Sequence, residues 1–190
     1  MPPSSKAQSS TSFHTARTTM SPTPRSPLKR LHAELSALQS LSSRTASEKE
    51  SSAIERLEPV DSDDLFKWEA VVRGSGLGGG YDEGRWLLEI QVPEAYPNAP
   101  PKVRFRTRVV GSNVDFETGE VCLDLLKDNW SPAYTLEKTV EAVAHMLANP
   151  GVDSPLNVDV AALLRSGDAV GAESLVRWAT GESWGRYEGK

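Results

Sequence analysis

Two alternating apolar runs on either side of a glycine-rich stretch constrain this chain more than any other feature. Phe66, Trp68, Ala70 and Val72 recur at every second position, as do Trp86, Leu88, Ile90 and Val92. A period of two puts each set on one face of a strand and leaves the intervening residues on the other, the pattern of an antiparallel sheet covered on one side. Runs at 53–60 and 102–107 predict a strand on each flank, making a four-stranded meander. The link at 74–80, Gly-Ser-Gly-Leu-Gly-Gly-Gly, fits the dinucleotide pattern G-x-G-x-x-G. That pattern needs a helix directly after it to hold a phosphate, whereas residues 81–90 begin another strand, so the link is read as a flexible hairpin loop.

The helices fall outside this block. Ser26 before Pro27 predicts a cap and a first helical position, and Leu28, Leu31, Leu35 and Leu38 form an apolar stripe through about residue 41. The opposite face, with Lys29, Arg30 and Glu34, is then free for recognition. Residues 96–101 carry too many prolines for a central strand and predict an ordered crossover. Thr135 caps a helix at 136–148 whose core side is Leu136, Val140, Val143, Ala144 and Leu147. Gly167 separates two more helices, at 157–166 and 168–178. Strands grouped first, with helices before and after, give an α+β fold: a four-stranded antiparallel meander with an N-terminal helix and C-terminal helices.

Residues 1–25 are rich in Ser, Thr and Pro, basic, and too poor in apolar side chains to offset ordering entropy, so they are expected to be a disordered tail. A mitochondrial transit peptide has a similar composition, but Pro22 and Pro24 and the scarcity of apolar residues argue against an amphipathic helix there. The first thirty residues hold five of the 21 basic residues and no acid. The remaining 16 face 26 acids, a net charge of −10 that makes the rest of the chain a poor nucleic-acid binder. No apolar run approaches a membrane span and no secretory segment is visible, which predicts a soluble intracellular chain without direct membrane insertion. His14, His32, His145 and Cys122 are dispersed, so no metal site is expected.

Cys122 is the only cysteine and lies in a turn-rich, acidic stretch. Its plain reading is a small buried hydrophobe. Its chemical reading is a rigidly held, partly exposed thiol that shares a strand face with Asp124. A hydrolytic dyad would need a histidine base, and His145, grouped with Glu137 and Glu141 on the polar side of its helix, is not placed to be one. The residues therefore argue against a cysteine–histidine hydrolase. Asp115, Glu117, Glu120, Asp124 and Asp128 are expected to disfavour the thiolate by like-charge repulsion, so no unusually reactive thiol is expected.

Asn113, nine residues before Cys122, Cys-Leu-Asp-Leu-Leu at 122–126 and Asn-Trp-Ser-Pro-Ala at 129–133 resemble the active-site region of ubiquitin-conjugating enzymes. Val-Pro-Glu-Ala-Tyr-Pro-Asn-Ala-Pro-Pro-Lys-Val-Arg-Phe at 92–105 and Asn-Pro-Gly-Val-Asp-Ser-Pro-Leu-Asn at 149–157 extend the resemblance over residues 26–182, leaving 183–190 as a short C-terminal tail. It implies that Cys122 receives the ubiquitin C-terminus by transthiolation, holds it as a thioester and passes it to a lysine. It also implies that Asn113 supports the neighbouring loop and stabilises the oxyanion, with Asp124, Asp153 and Trp130 supporting the site. Ser154, beside Asp153, stands where many relatives carry an acid that prepares the attacking lysine; a hydroxyl can orient a nucleophile but cannot serve as its base. Gly111-Ser112 replaces the usual His-Pro, which is expected to leave the turn less stiff.

The same resemblance implies that Lys29, Arg30, Pro97, Asn98, Ser131, Pro132 and Ala133 contact the ubiquitin-activating enzyme and a RING-type ligase, Asn98 replacing an aromatic common in relatives. No bound cofactor is implied, because the activating enzyme is the one that uses ATP. Within the family, the long spacing from Asn113 to Cys122, with 152–159 and 163–168, is most similar to the fungal peroxisomal members of the peroxin-4 class. Those members imply single ubiquitins placed on a lysine or cysteine of the peroxisomal import receptor for its recycling. The enzyme would be cytoplasmic and peripheral on the peroxisomal membrane, held by a membrane-anchored peroxin. A catalytically impaired variant acting as a binding scaffold, and a cytosolic member serving another ligase, stay open.

Overall fold

The alternating runs form the two central strands of an antiparallel sheet in a computed structural model that describes residues 26–41, 52–121 and 130–189. The strands are β1 Ile54–Asp61, β2 Asp64–Arg73, β3 Arg85–Gln91 and β4 Lys102–Phe105, lying side by side in chain order. Register sets Trp68 opposite Ile90, Ala70 opposite Leu88 and Val72 opposite Trp86, and all six are fully buried. Like-facing apolar pairs of this kind are what fix a sheet's register, since a one-residue slip would turn every one of them to solvent.

Among the described residues there are four α-helices: α1 Pro27–Leu41, α2 Leu136–Ala148, α3 Val158–Arg165 and α4 Ala169–Gly181. Three of them, α2, α3 and α4, start on side-chain caps of the residue types that favour this position. Thr135 Oγ1 accepts from the Lys138 N–H at 3.2 Å, Asn157 Oδ1 from Val160 at 3.2 Å, and Asp168 Oδ1 from Gly171 at 2.8 Å. Helix α2 buries Leu136, Val140, Val143, Ala144 and Leu147, together with Thr139 and Met146. Full burial of a Leu, Val or Met side chain contributes about 1.5–3 kcal/mol. That packing, more than helix propensity, holds α2 against the sheet.

Four expectations are corrected. On α1 only Leu31 is fully buried; Leu35 and Leu38 are partly so, and Leu28, in the first turn, is 44% exposed. Glu34, expected on the free face, is 7% exposed, because it follows Leu31 by three residues and so shares its side of the helix. The glycine-rich loop is pinned rather than loose: Leu77 N–H donates to Gly74 O at 2.8 Å and Tyr81 N–H to Gly78 O at 3.0 Å. Gly80, at φ +90°, lies so close to α4 that a Cβ would stand 2.5 Å from Glu173 O. Last, the expected C-terminal tail joins the domain, with Trp184 packed on the core and Tyr187 N–H donating to Arg85 O at 2.7 Å. The expected N-terminal tail lies outside the described residues.

Candidate active site

The segment that leads to Cys122 is a tight turn built by one carboxylate. Asp115 Oδ1 accepts from the N–H of Thr118 at 2.7 Å, from its hydroxyl at 2.9 Å and from the N–H of Glu117 at 3.0 Å. These donors, Thr118 foremost, hold the Asp115 carboxyl below its ordinary range. Gly119, at φ +72°, closes the turn with its N–H on Asp115 O at 2.9 Å, and its carbonyl accepts from Phe105 N–H at 2.8 Å. A Cβ on Gly119 would meet Phe105 O at 2.0 Å, so this approach to β4 requires glycine. Val114 then bridges Val121, which is buried, and Cys122 is the next residue in the chain. Cys122 and Asp124 themselves lie outside the described residues.

Asn113 is 8% exposed and engages Gly151 at both of its ends. Its Oδ1 accepts from Gly151 N–H at 2.7 Å and its Nδ2 donates to Gly151 O at 3.1 Å. The same carbonyl accepts from the Ser112 hydroxyl at 2.7 Å, and Ser112 O accepts from the N–H groups of Leu156 and Asn157 at 2.9 and 3.0 Å. Arg165 of α3 also donates to Val152 O. The loop from 151 to 157, which carries the exposed Asp153 and Ser154, is thus attached to residues 112–113 at both ends. Gly111-Ser112, expected to leave the turn looser, is well tied: Tyr81 donates its buried hydroxyl to Val110 O at 2.8 Å, and a Cβ on Gly111 would press on that hydroxyl at 3.0 Å. Burial pushes the Tyr81 hydroxyl above its ordinary pKa, so it stays a donor. Sequence reasoning noted Ser112 and Gly151 in their motifs but missed the bond that joins them, because it ends on a backbone carbonyl 39 residues away.

Of the residues expected to meet a ligase, Pro97 and Arg30 are each tied to the segment 130–134. Trp130 donates Nε1–H to Pro97 O at 2.8 Å and stacks on Tyr134 with ring centroids 5.8 Å apart. This joins the half-buried Pro97 and exposed Asn98 to half-buried Ser131 and exposed Pro132 and Ala133. Trp130, expected beside the cysteine, is therefore engaged with this surface. Lys29 is exposed, but Arg30 is not free: Nε donates to Glu34 at 2.5 Å and Nη2 to Tyr134 O at 2.8 Å. Glu34 also accepts from the Tyr96 hydroxyl at 2.7 Å and from Leu136 N–H at 2.8 Å. Burial first, then this carboxylate, pushes the Tyr96 hydroxyl well above its usual range.

His145 is exposed, with Asn149 Nδ2 at 3.2 Å from its Nε2. Among the described residues no cluster of three His, Cys, Asp or Glu could hold a metal ion, and no helix is long and apolar enough to cross a membrane.

A model of the family described as "Ubiquitin-conjugating enzyme" matches residues 30–177. The chain is 53% identical over 152 residues to the "Ubiquitin-conjugating enzyme E2 PEX4" of Gibberella zeae, covering 80% of this chain and 88% of that relative. It is 46% identical over 120 residues to "Protein PEROXIN-4" of Arabidopsis thaliana, covering 63% and 76%. A crystal structure of the H. polymorpha ubiquitin-conjugating enzyme Pex4p, in complex with the soluble domain of Pex22p, aligns with a TM-score of 0.72 at 35% identity, covering 80% of this chain and 94% of that one.

Proposed function

Because the chain belongs to the ubiquitin-conjugating enzyme family, being an enzyme of the peroxin-4 type, we propose that Cys122 is the residue on which it carries ubiquitin. The thiolate of Cys122 attacks the carbonyl of the thioester that links ubiquitin to its activating enzyme. A new C–S bond forms, the activating enzyme's thiolate leaves, and ubiquitin moves across with no change of oxidation state. A lysine amine or cysteine thiol of the acceptor then attacks the same carbonyl. The Cys122 sulfur departs with the bonding pair and the nucleophile's proton passes to solvent. Every step uses side chains and the two thioesters alone; ATP is spent upstream, by the activating enzyme.

Asn113 has one amide N–H on Gly151 and none of the described residues accepts the other, which suits it to an oxyanion beside its loop. Ser154 orients an incoming nucleophile by hydrogen bonding, with Asp153 supplying the nearby negative charge. Lys29, Asn98, Pro132 and Ala133 form the exposed part of the surface for the activating enzyme and a RING ligase. Asn98, a small polar residue where an aromatic anchor is usual, makes that surface a weak generic docking site.

The acceptor we assign is the peroxisomal import receptor, singly modified for its recycling at the cytosolic face of the peroxisomal membrane, with recruitment by a membrane-anchored peroxin. The observation that carries this reading is the similarity to peroxin-4 relatives, one of which has been crystallised with Pex22p. Fluorescent tagging of the chain in a filamentous fungus tests it. A rim of label on peroxisomes, and loss of the singly ubiquitinated receptor when Cys122→Ser replaces the wild type, are expected. Diffuse cytosolic label with unchanged receptor ubiquitination would instead favour a family member serving another ligase.

A further inference from the structure

Resting on the carrier reading above, we propose that the Ser112 hydroxyl is a positioning residue that sets the loop bearing Asp153 and Ser154 for attack on the thioester. Three observations converge on it. Ser112 is 1% exposed, so its hydroxyl must find a partner inside the protein, and the partner is Gly151 O at 2.7 Å. The same carbonyl receives the Asn113 amide at 3.1 Å, so one backbone oxygen fixes the loop to both residues before the site turn. The main-chain carbonyl of Ser112 accepts from Leu156 and Asn157, so this single residue holds the loop at its start through the side chain and at its end through the backbone.

The stretch between these two ties is short. Residues 152–155 span from the Gly151 anchor to the Leu156 anchor, and both candidate groups, Asp153 and Ser154, are exposed in the middle. A four-residue bridge held at both ends has few conformations, and weakening the tie at its start, where the Asn113 bonds to Gly151 and the Arg165 bond to Val152 O would remain, lets it sample more. Removal of the hydroxyl leaves Asn113 as the only side chain on Gly151 O. The Asn113 carboxamide then has to hold the loop and face the oxyanion with less support. The hydroxyl thereby stiffens the turn by a hydrogen bond, where the family's usual proline at this position would do so through its ring.

The test is single-turnover discharge of Cys122-bound ubiquitin to free lysine and to free cysteine, in the full-length chain. Ser112→Ala is expected to slow discharge to lysine by about three- to tenfold, the equivalent of one net hydrogen bond, with a smaller effect on cysteine. Ser112→Thr, which keeps the donor, is expected to recover most of the rate. Because Ser112 acts through the loop, Ser112→Ala and Ser154→Ala together should slow the reaction by less than the product of their separate effects. Equal discharge by wild type and Ser112→Ala, or strictly multiplicative effects of the pair, would overturn the proposal while leaving the carrier reading intact. If wild type forms no thioester, it is the carrier reading that fails, and the two failures are distinct in the first lane.

Discussion

Asn113 and Ser154 lie on the two segments that Gly151 joins, yet they should fail in different ways. Asn113→Ala removes both a loop tie and an amide donor, and loss of one oxyanion donor slows catalysis by about a hundredfold or more. Discharge to every nucleophile should fall by that order, with charging of Cys122 less affected because charging draws on the activating enzyme's own site. Ser154→Asp should speed discharge to lysine by giving its ammonium an acceptor, with little effect on cysteine, whose thiol needs no such help near neutral pH. Single-turnover decay of the thioester with each nucleophile checks both, and equal acceleration of lysine and cysteine would refute the second. The candidates Asn113, Ser154 and Cys122 could be picked out in the sequence because each sits in a local motif, whereas the tie from Ser112 to Gly151 could not, since it spans 39 residues and one partner is a main-chain carbonyl.

At the scale of elements, α1 illustrates how a periodic pattern can be right about the helix and wrong about its faces. The leucines marked its length correctly, but a carboxylate three residues past Leu31 was read as solvated because acids usually are. Glu34 escapes that rule by accepting hydrogen bonds from Arg30, Tyr96 and the first N–H of α2, Leu136. It thereby joins α1 to the Tyr96–Asn98 turn and to the start of α2, the elements that carry the proposed ligase surface. Glu34→Gln keeps the shape but puts an amide donor among three donors. Hydrogen bonds to a charged group contribute about 1.5–3 kcal/mol each, so the variant should lose at least about 2 kcal/mol in urea unfolding. It should also weaken RING-domain binding in titration while Lys29→Ala, at an exposed position, weakens binding without loss of stability. A Glu34→Gln protein as stable as wild type would contradict the role given to this carboxylate.

Across the whole molecule, the C-terminal residues close the sheet through Arg85. Its guanidinium grips both oxygens of Glu55 at 2.7 and 2.9 Å and donates to Tyr187 O and Gly189 O at 2.8 and 2.7 Å. The Arg85 bond holds the Glu55 carboxyl below its ordinary range. A carboxylate whose pKa is lower folded than unfolded stabilises the fold above its unfolded value, about 4.3, and loses that contribution as pH falls through the folded value. Urea midpoints of wild type and Glu55→Gln should therefore differ modestly at pH 7, as for an exposed pair, and draw together as pH falls below the unfolded value; a gap that does not narrow on acidification would refute the assignment. The strand block and α2 were legible because their periodicities are clean, whereas the docking of 183–189 depends on backbone carbonyls that no composition reveals. The account as a whole stands on Cys122 as carrier. Incubation of the full chain with ubiquitin, ATP and activating enzyme, resolved with and without thiol reductant, measures that directly: wild type should give a ubiquitin adduct that reductant removes, and Cys122→Ser only a reductant-resistant ester or none, whereas a wild-type chain that never forms the labile adduct would contradict the account and leave a binding scaffold in its place.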